Sequence, residues 1–421
     1  MIVPLLERFA VAPAIAEAAR RAVARCTAGT SPAALATAHA RANVLRAFYD
    51  EGVSESDLGG SFGYGYDDAA RAHYESLLAR IFGADRALAR LSLVSGTHAI
   101  VAAIDACLPH HGRLLSATGR PYDTLRNALV DAPHALARRG VRYDEIAFEE
   151  ETGNVDLGAL ARACERGVDV VFIQRSRGYA SRRALSAIEC GTIAKVVRSV
   201  ASDAFVLVDN CYGELVDATE PTHHGVDAVM GSLIKNLGGA LAPGGGYVIG
   251  RAEVVERVAA RHYAPGLGTA VGPTLGFGRA LLQGLFNAPS VVAECLAGLD
   301  LASALFAELR ERVDPVALAE RHDIVQAIGL GSAARTIAFA RGLQRAMPVN
   351  ARFAPEPGSV PGYRDPVIMS GGAFVNGATI ELSCDAPLRP PFEVYLQGGT
   401  SREHVLLGAM FAAESLLKES K

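Results

Sequence analysis

The sequence predicts an α/β protein with a mostly parallel central sheet and a smaller C-terminal α+β domain. Three observations predict it. Short, continuous apolar runs recur at 88–94, 168–174, 204–209, 227–232 and 246–250, as expected of strands buried on both faces. Helical stretches, such as 97–107 and 190–201, lie between several of them, and this alternation is that of a parallel sheet. After about residue 285 the texture changes, which divides the chain into an N-terminal helical arm (1–60), a large α/β domain (61–285) and a C-terminal α+β domain (286–421).

The elements follow in order. Segments 13–28 and 37–50 are alanine-rich, carry apolar residues at helical spacing and predict two helices. The loop GGSFGYGYDD at 59–68 has too much glycine to hold either period, and a helix follows at about 69–83. The strands and helices of the large domain come next. A helix is predicted at 290–311, then a Pro- and Gly-rich stretch at 347–372, strands at 373–383 and 392–397, and a last helix at about 402–417.

Composition narrows the function. Of 421 residues, 50% are hydrophobic and 20% charged, enough apolar material for a sizeable core and too much for a disordered chain. The net charge of −4 carries no electrostatic footprint for nucleic acid or an anionic membrane surface. No uninterrupted apolar run predicts a transmembrane helix, and MIVPLLERFA does not resemble a secretory signal. The seven cysteines are odd in number and form no C-x-x-C pair, which predicts reduced thiols in a cytoplasmic protein, with no disulfide framework and no metal site.

Three places carry chemistry. Lys235 lies just past the run 227–232, between Ser232 and the glycine-rich GGALAPGGG. Burying a lysine lowers its pKa and makes the neutral amine a nucleophile; the plain alternative is a lysine in a surface loop. Ser232, one helical turn earlier, could give its hydroxyl to a phosphate. Asp209 ends the apolar run AFVLVD, where ligands sit in parallel sheets. It either meets a cation or caps the next turn. Ser95, Gly96 and Thr97 stand where a strand gives way to a helix, an anion site or an ordinary cap. His98 follows, facing a cofactor or the core.

Phosphate turn, strand-end acid and lysine, in that order, are what a fold type I pyridoxal-phosphate enzyme needs. The helix start takes the phosphate, the acid keeps the ring nitrogen protonated and the lysine holds the aldehyde.

Longer motifs point the same way. FGYGYDD, LVSGTHAI, GRPYDTL, FIQRSRGYASR, VDNCYGE, GSLIKNLGG, GGGYVIGR, APGLG, LLQGLFNAP, PGYRDPVIM, IELSCDAPLR and YLQGG run in order from about 62 to 399. Through them the chain resembles the methionine γ-lyase-like family, often labelled aluminium resistance protein, of the pyridoxal-phosphate Cys/Met-metabolism enzymes. The resemblance implies that Lys235 carries pyridoxal 5'-phosphate, that Asp209 partners its ring nitrogen, and that Gly96, Thr97 and Ser232 bind its phosphate. It implies that Tyr122 stacks on the ring, with His98 a competitor for that face. Tyr64 and Tyr66 resemble a loop that reaches a neighbouring subunit's phosphate, so a homodimer at least, and a homotetramer by family, is expected. Arg389 is the candidate for the substrate carboxylate, with Arg175 and Arg177 as rivals.

The implied activity is a lyase that eliminates a thiolate or halide from the γ carbon of an L-amino acid. A β-eliminating cystathionine lyase, an aminotransferase and a non-catalytic stress-response protein that binds pyridoxal phosphate are the alternatives. Three segments depart from the family pattern. KNPGGG is replaced by Lys235-Asn236-Leu237-Gly238-Gly239-Ala240, SPVDS by Met347-Pro348-Val349-Asn350-Ala351, and ELSADGP by Glu381-Leu382-Ser383-Cys384-Asp385-Ala386-Pro387. Met347 and Asn350 would suit a less polar substrate side chain if they face the pocket.

Overall fold

The structure is a computed structural model that describes residues 2–29 and 31–419. Its larger sheet has seven strands: β1 (Arg86–Arg90), β2 (Arg113–Ser116), β3 (Arg142–Glu145), β4 (Val170–Gln174), β5 (Phe205–Asp209), β6 (Ala228–Ser232) and β7 (Gly246–Gly250). The spatial order is β1-β7-β6-β5-β4-β2-β3. Strands β2 to β6 run parallel, and β7 is antiparallel to both β6 and β1.

Strands β4 and β5 show why this sheet reads as continuous apolar runs. Val171, Ile173, Val206 and Val208 face one core layer, while Val170, Phe172 and Leu207 face the other. Both faces are covered, so the alternation of a one-sided strand is lost. The helix Gly96–Cys107 covers the second layer. On the opposite side, the long helix Gly278–Glu308 carries the core. Helices Pro13–Ala28 and Pro32–Glu51 lie along this long helix and bury Ile15, Ala19, Ala22, Ala40 and Val44. Gly278–Glu308 is apolar and long enough to cross a membrane by composition alone, but 67% of its most apolar window is buried in protein.

A second sheet follows, formed by β8 (Arg312–Asp314), β9 (Val325–Gly329), β10 (Val367–Ser370), β11 (Ser383–Pro387) and β12 (Glu393–Gln397). It is antiparallel in the order β10-β11-β12-β9-β8. Helices Ala333–Gln344 and Arg402–Glu419 pack against one another beside it.

Several elements differ from expectation. The strand predicted over 88–94 ends at Arg90, whose buried guanidinium is ion-paired to Glu75, and the chain then turns towards Ser95. The strand predicted over 373–383 is a loop with a short turn at Thr379–Glu381. There the Glu381 carboxylate accepts from the Phe374 and Val375 N–H groups at 2.8 and 3.1 Å, taking the place of a strand partner. Strand β11 begins where that prediction ended, and β10 lies inside the Pro- and Gly-rich stretch. The helix predicted over 290–311 starts twelve residues earlier and runs through residue 285, with Pro289 inside it.

Candidate active site

The carboxyl ends of β4, β5 and β6 and the start of the helix Gly96–Cys107 face a cavity of about 270 Å3. This is where open α/β sheets place their ligands. Ser95, Gly96, Thr97, Tyr122, Asp209, Ser232 and Lys235 all line it. The structure therefore brings together seven residues singled out from the sequence.

The helix start is built by Ser95, whose Oγ accepts from the His98 N–H at 3.1 Å and caps the helix. A Cβ on Gly96 would lie 3.1 Å from the Ser232 N atom, so the missing side chain lets this turn approach β6 closely. Tyr122 is hydrogen-bonded through its hydroxyl to Thr97 Oγ1 at 3.0 Å, and its N–H donates to Gln174 Oε1 at 3.0 Å. The hydroxyl is thus tied to the helix start and the backbone to β4.

Asp209 is 3% exposed at the end of β5. Its Oδ1 accepts from the Cys211 N–H at 3.0 Å. Burial pushes its pKa up, opposed by the Cys211 hydrogen bonds and by the charges of Lys235 and Arg182. Lys235 sits across from it with Nζ 3.7 Å from the centroid of the Tyr212 ring. Burial works against its ammonium, yet the adjacent Tyr212 and Cys211 outweigh that and leave its pKa raised. Asn236 holds the lysine turn in place by donating Nδ2 to the carbonyls of Glu214 at 2.8 Å and Tyr212 at 3.2 Å. Behind the turn, a Cβ on Gly239 would sit 2.2 Å from the Gly284 carbonyl oxygen, and one on Gly284 would sit 2.3 Å from that of Gly238. The lysine turn and the long helix meet backbone to backbone.

Other candidates lie elsewhere. His98 does not line the cavity, and its Nδ1 accepts from the Val94 N–H at 3.3 Å. Arg175 is wholly buried beneath the strand ends, bound to Asp217, Glu220, Asn210 and the carbonyls of Leu185 and Gly213, so it has no free face for a substrate. Arg177 is paired with Asp314 at 2.8 Å. Arg389 lies outside the cavity, bridging Asp123 at 3.2 Å and Asp365 at 3.3 Å. Tyr64 and Tyr66 are 66% and 55% exposed and do not line this chain's cavity. Met347 is buried in the main core and Asn350 lies outside the cavity, so neither tunes the pocket's polarity directly.

Among the other lining residues, four with large side chains were not singled out from the sequence: Gln174, Tyr179, Tyr212 and Tyr363. All but Gln174 come from loops, where no period marks a side chain's direction. The one available signal was position, because Tyr212 follows Asp209 by one short turn within VDNCYGE.

The fold is that of the fold type I pyridoxal-phosphate proteins. The sequence profile of the methionine gamma-lyase family matches residues 15–417, and the chain belongs to that family. It is 38% identical over 380 residues to the uncharacterized protein YnbB of Bacillus subtilis (strain 168), covering 89% of this chain and 90% of that one. The fold superposes on a candidate cystathionine beta-lyase involved in aluminum resistance from Clostridium acetobutylicum with a TM-score of 0.92 and 36% identity, over 97% of this chain and 96% of that one. It superposes on a carbon-sulfur lyase involved in aluminum resistance from Clostridium novyi NT with a TM-score of 0.91 and 34% identity, over 98% of each chain.

The family's cofactor is pyridoxal 5'-phosphate. The residues present fit it. Asp209 is a buried carboxylate at the cavity that makes no ion pair among the described residues, and a protonated ring nitrogen supplies the cation it lacks. Among the described residues Lys235 is the one lysine that lines the cavity, and the capped helix start offers backbone N–H groups for a phosphate.

Proposed function

We propose that this protein is a pyridoxal-phosphate lyase that eliminates a leaving group, thiolate or halide, from the γ carbon of an L-amino acid. The observation that carries the reading is the convergence of Lys235, Asp209 and the Ser95–Thr97 helix start on one cavity, in a chain of the methionine gamma-lyase family. A β-eliminating reaction of the cystathionine lyase kind is the second reading, favoured by the description of the Clostridium acetobutylicum neighbour.

When bound, the cofactor delocalises the electron pair left at the substrate α carbon. The chain's own groups do the rest. Gly96, Thr97 and Ser232 would hold the phosphate. Asp209 would keep the ring nitrogen protonated. Tyr122 would pack on the ring. Lys235 would hold the aldehyde and, when free, take the α proton through Nζ. A second proton then leaves the β carbon and the γ substituent departs. Tyr64 and Tyr66 of a second copy complete the phosphate site, so we propose a homodimer at least.

The test is the visible absorption of the purified protein, followed as amino acids with sulfur or halogen at the β or γ carbon are added. Released thiol or halide is read alongside. A band that is absent in Lys235→Ala supports the assignment, and the amino acid that shifts the band names the elimination. A colourless protein that takes up no added pyridoxal phosphate refutes it.

A further inference from the structure

Behind Tyr179, which lines the cavity, the second sheet holds an acid that the reaction above does not use. Asp385 lies on β11, 4% exposed, opposite Tyr395 of β12. The Tyr179 hydroxyl donates a short hydrogen bond to its Oδ2, and Gln397 Nε2 donates to the same atom at 2.9 Å. Asp385 makes no ion pair among the described residues. The Tyr179 ring is wedged between Tyr363 and Tyr395, with centroids 5.9 and 5.6 Å away, and it lines the cavity. Tyr212, by contrast, lies flat against Lys235 Nζ. Besides Lys235, the cavity therefore presents a second proton-accepting group, a phenol on the loop after β4 that is backed by a buried carboxylate of the second sheet.

A γ-elimination moves two protons, one from the α carbon and one from the β carbon, and a single base must swing between them unless a second is present. We propose that Tyr179 is the catalytic base for the substrate β carbon, with Asp385 as its positioning residue and proton acceptor; the inference rests on the γ-elimination reading. The β C–H proton passes to the Tyr179 oxygen while the phenol's own proton passes to Asp385 Oδ2. The electron pair left at the β carbon becomes the β–γ double bond as the γ substituent departs with the pair of its own bond. Asp385 then returns the proton through Tyr179 to a departed thiolate, or to water when the leaving group is a halide. Charge and electrons balance with no outside oxidant or reductant. Gln397 keeps the carboxylate aimed at the phenol throughout.

The experiment uses L-norvaline, which has α and β protons and no leaving group, with the holoenzyme in D2O. Proton NMR follows exchange at both carbons. The wild type is expected to exchange both. Tyr179→Phe is expected to keep its visible band and its α exchange and to lose β exchange by about 10²-fold or more. Asp385→Asn, which keeps the shape of the pair, is expected to slow β exchange with α exchange retained. The inference is overturned if β exchange persists unchanged in Tyr179→Phe, because Lys235 then serves both carbons, and the γ-elimination reading survives. It is equally overturned if α and β exchange fall together in both variants, since the tyrosine then only shapes the pocket. A wild type that exchanges the α proton alone overturns the inference and the γ-elimination reading together.

Discussion

Glu214 shows how one side chain can oppose the fold that contains it. It is fully buried behind Lys235, with Oε1 accepting from the Tyr247 hydroxyl at 2.7 Å and Oε2 without a partner. Burial pushes its pKa up to about 8. The folded chain therefore holds this proton over a range in which the unfolded chain, with a carboxyl near pH 4.3, has released it, so stability falls as pH rises from about 4.3 to about 8. Glu214→Gln removes the titration. Thermal unfolding compared at about pH 5 and pH 8.5 is expected to show the variant gaining on the wild type by at least about 2 °C at the higher pH. At the same scale, Lys235, Asp209 and the Ser95–Thr97 turn are legible in the sequence because each sits at the end of an apolar run. Tyr179, Tyr363 and Asp385 are not. The first two are loop residues, and Asp385 is a polar residue buried mid-strand by partners that lie 206 and 12 residues away along the chain. The arginines mislead for a related reason: a guanidinium near a site looks the same in sequence whether it meets a substrate or, as for Arg175, internal acids.

At the scale of the element, the loop 59–68 is held open by a single carboxylate. Asp68 accepts from Ser61 N–H and Oγ at 3.0 and 2.6 Å, from Arg71 N–H at 2.9 Å, and from Thr274 N–H and Oγ1 at 2.7 and 2.8 Å. Burial raises its pKa, and the hydrogen bonds from Ser61, Arg71 and Thr274 outweigh that and hold it at about 2. The anchor is thus fully present above about pH 3.9 and is lost only as pH falls through about 2. Asp68→Ala strands buried N–H groups and is expected to cost roughly 2–4 kcal/mol. Urea unfolding measures the loss, and faster proteolytic cutting within 59–68 localises it. Strands with both faces buried are legible as elements, while β3 (RYDE), an exposed edge strand, and β8, only three residues long, carry no comparable signal. The loop at 373–378 has strand-like residues, and Glu381 takes the hydrogen bonds a strand would need.

The whole molecule leaves aromatic side chains in solvent. Phe62 is 74% exposed, and the rings of Tyr64 and Tyr66 lie 5.6 Å apart on the loop that Asp68 anchors. Sedimentation of the purified protein is expected to give a dimer or a larger assembly. The double substitution Tyr64→Ala and Tyr66→Ala is expected to weaken retention of pyridoxal phosphate at least about tenfold, the loss of one good hydrogen bond's worth of affinity. A monomeric wild type that holds the cofactor fully would contradict this.

The contact between Gly238, Gly239 and Gly284 has a consequence for how this protein can change. The turn bearing Lys235 rests on the helix that leads to the second sheet, with no side chain between them, and Gly239 has a φ of +50° that favours glycine. A side chain there would meet backbone oxygen at 2.2–2.3 Å, so the turn that carries Lys235 or the helix would have to move. Selection for new substrates, natural or in the laboratory, therefore has an unequal map: pocket side chains outside the proposed catalytic set can be exchanged, while these three bare positions have no room for one.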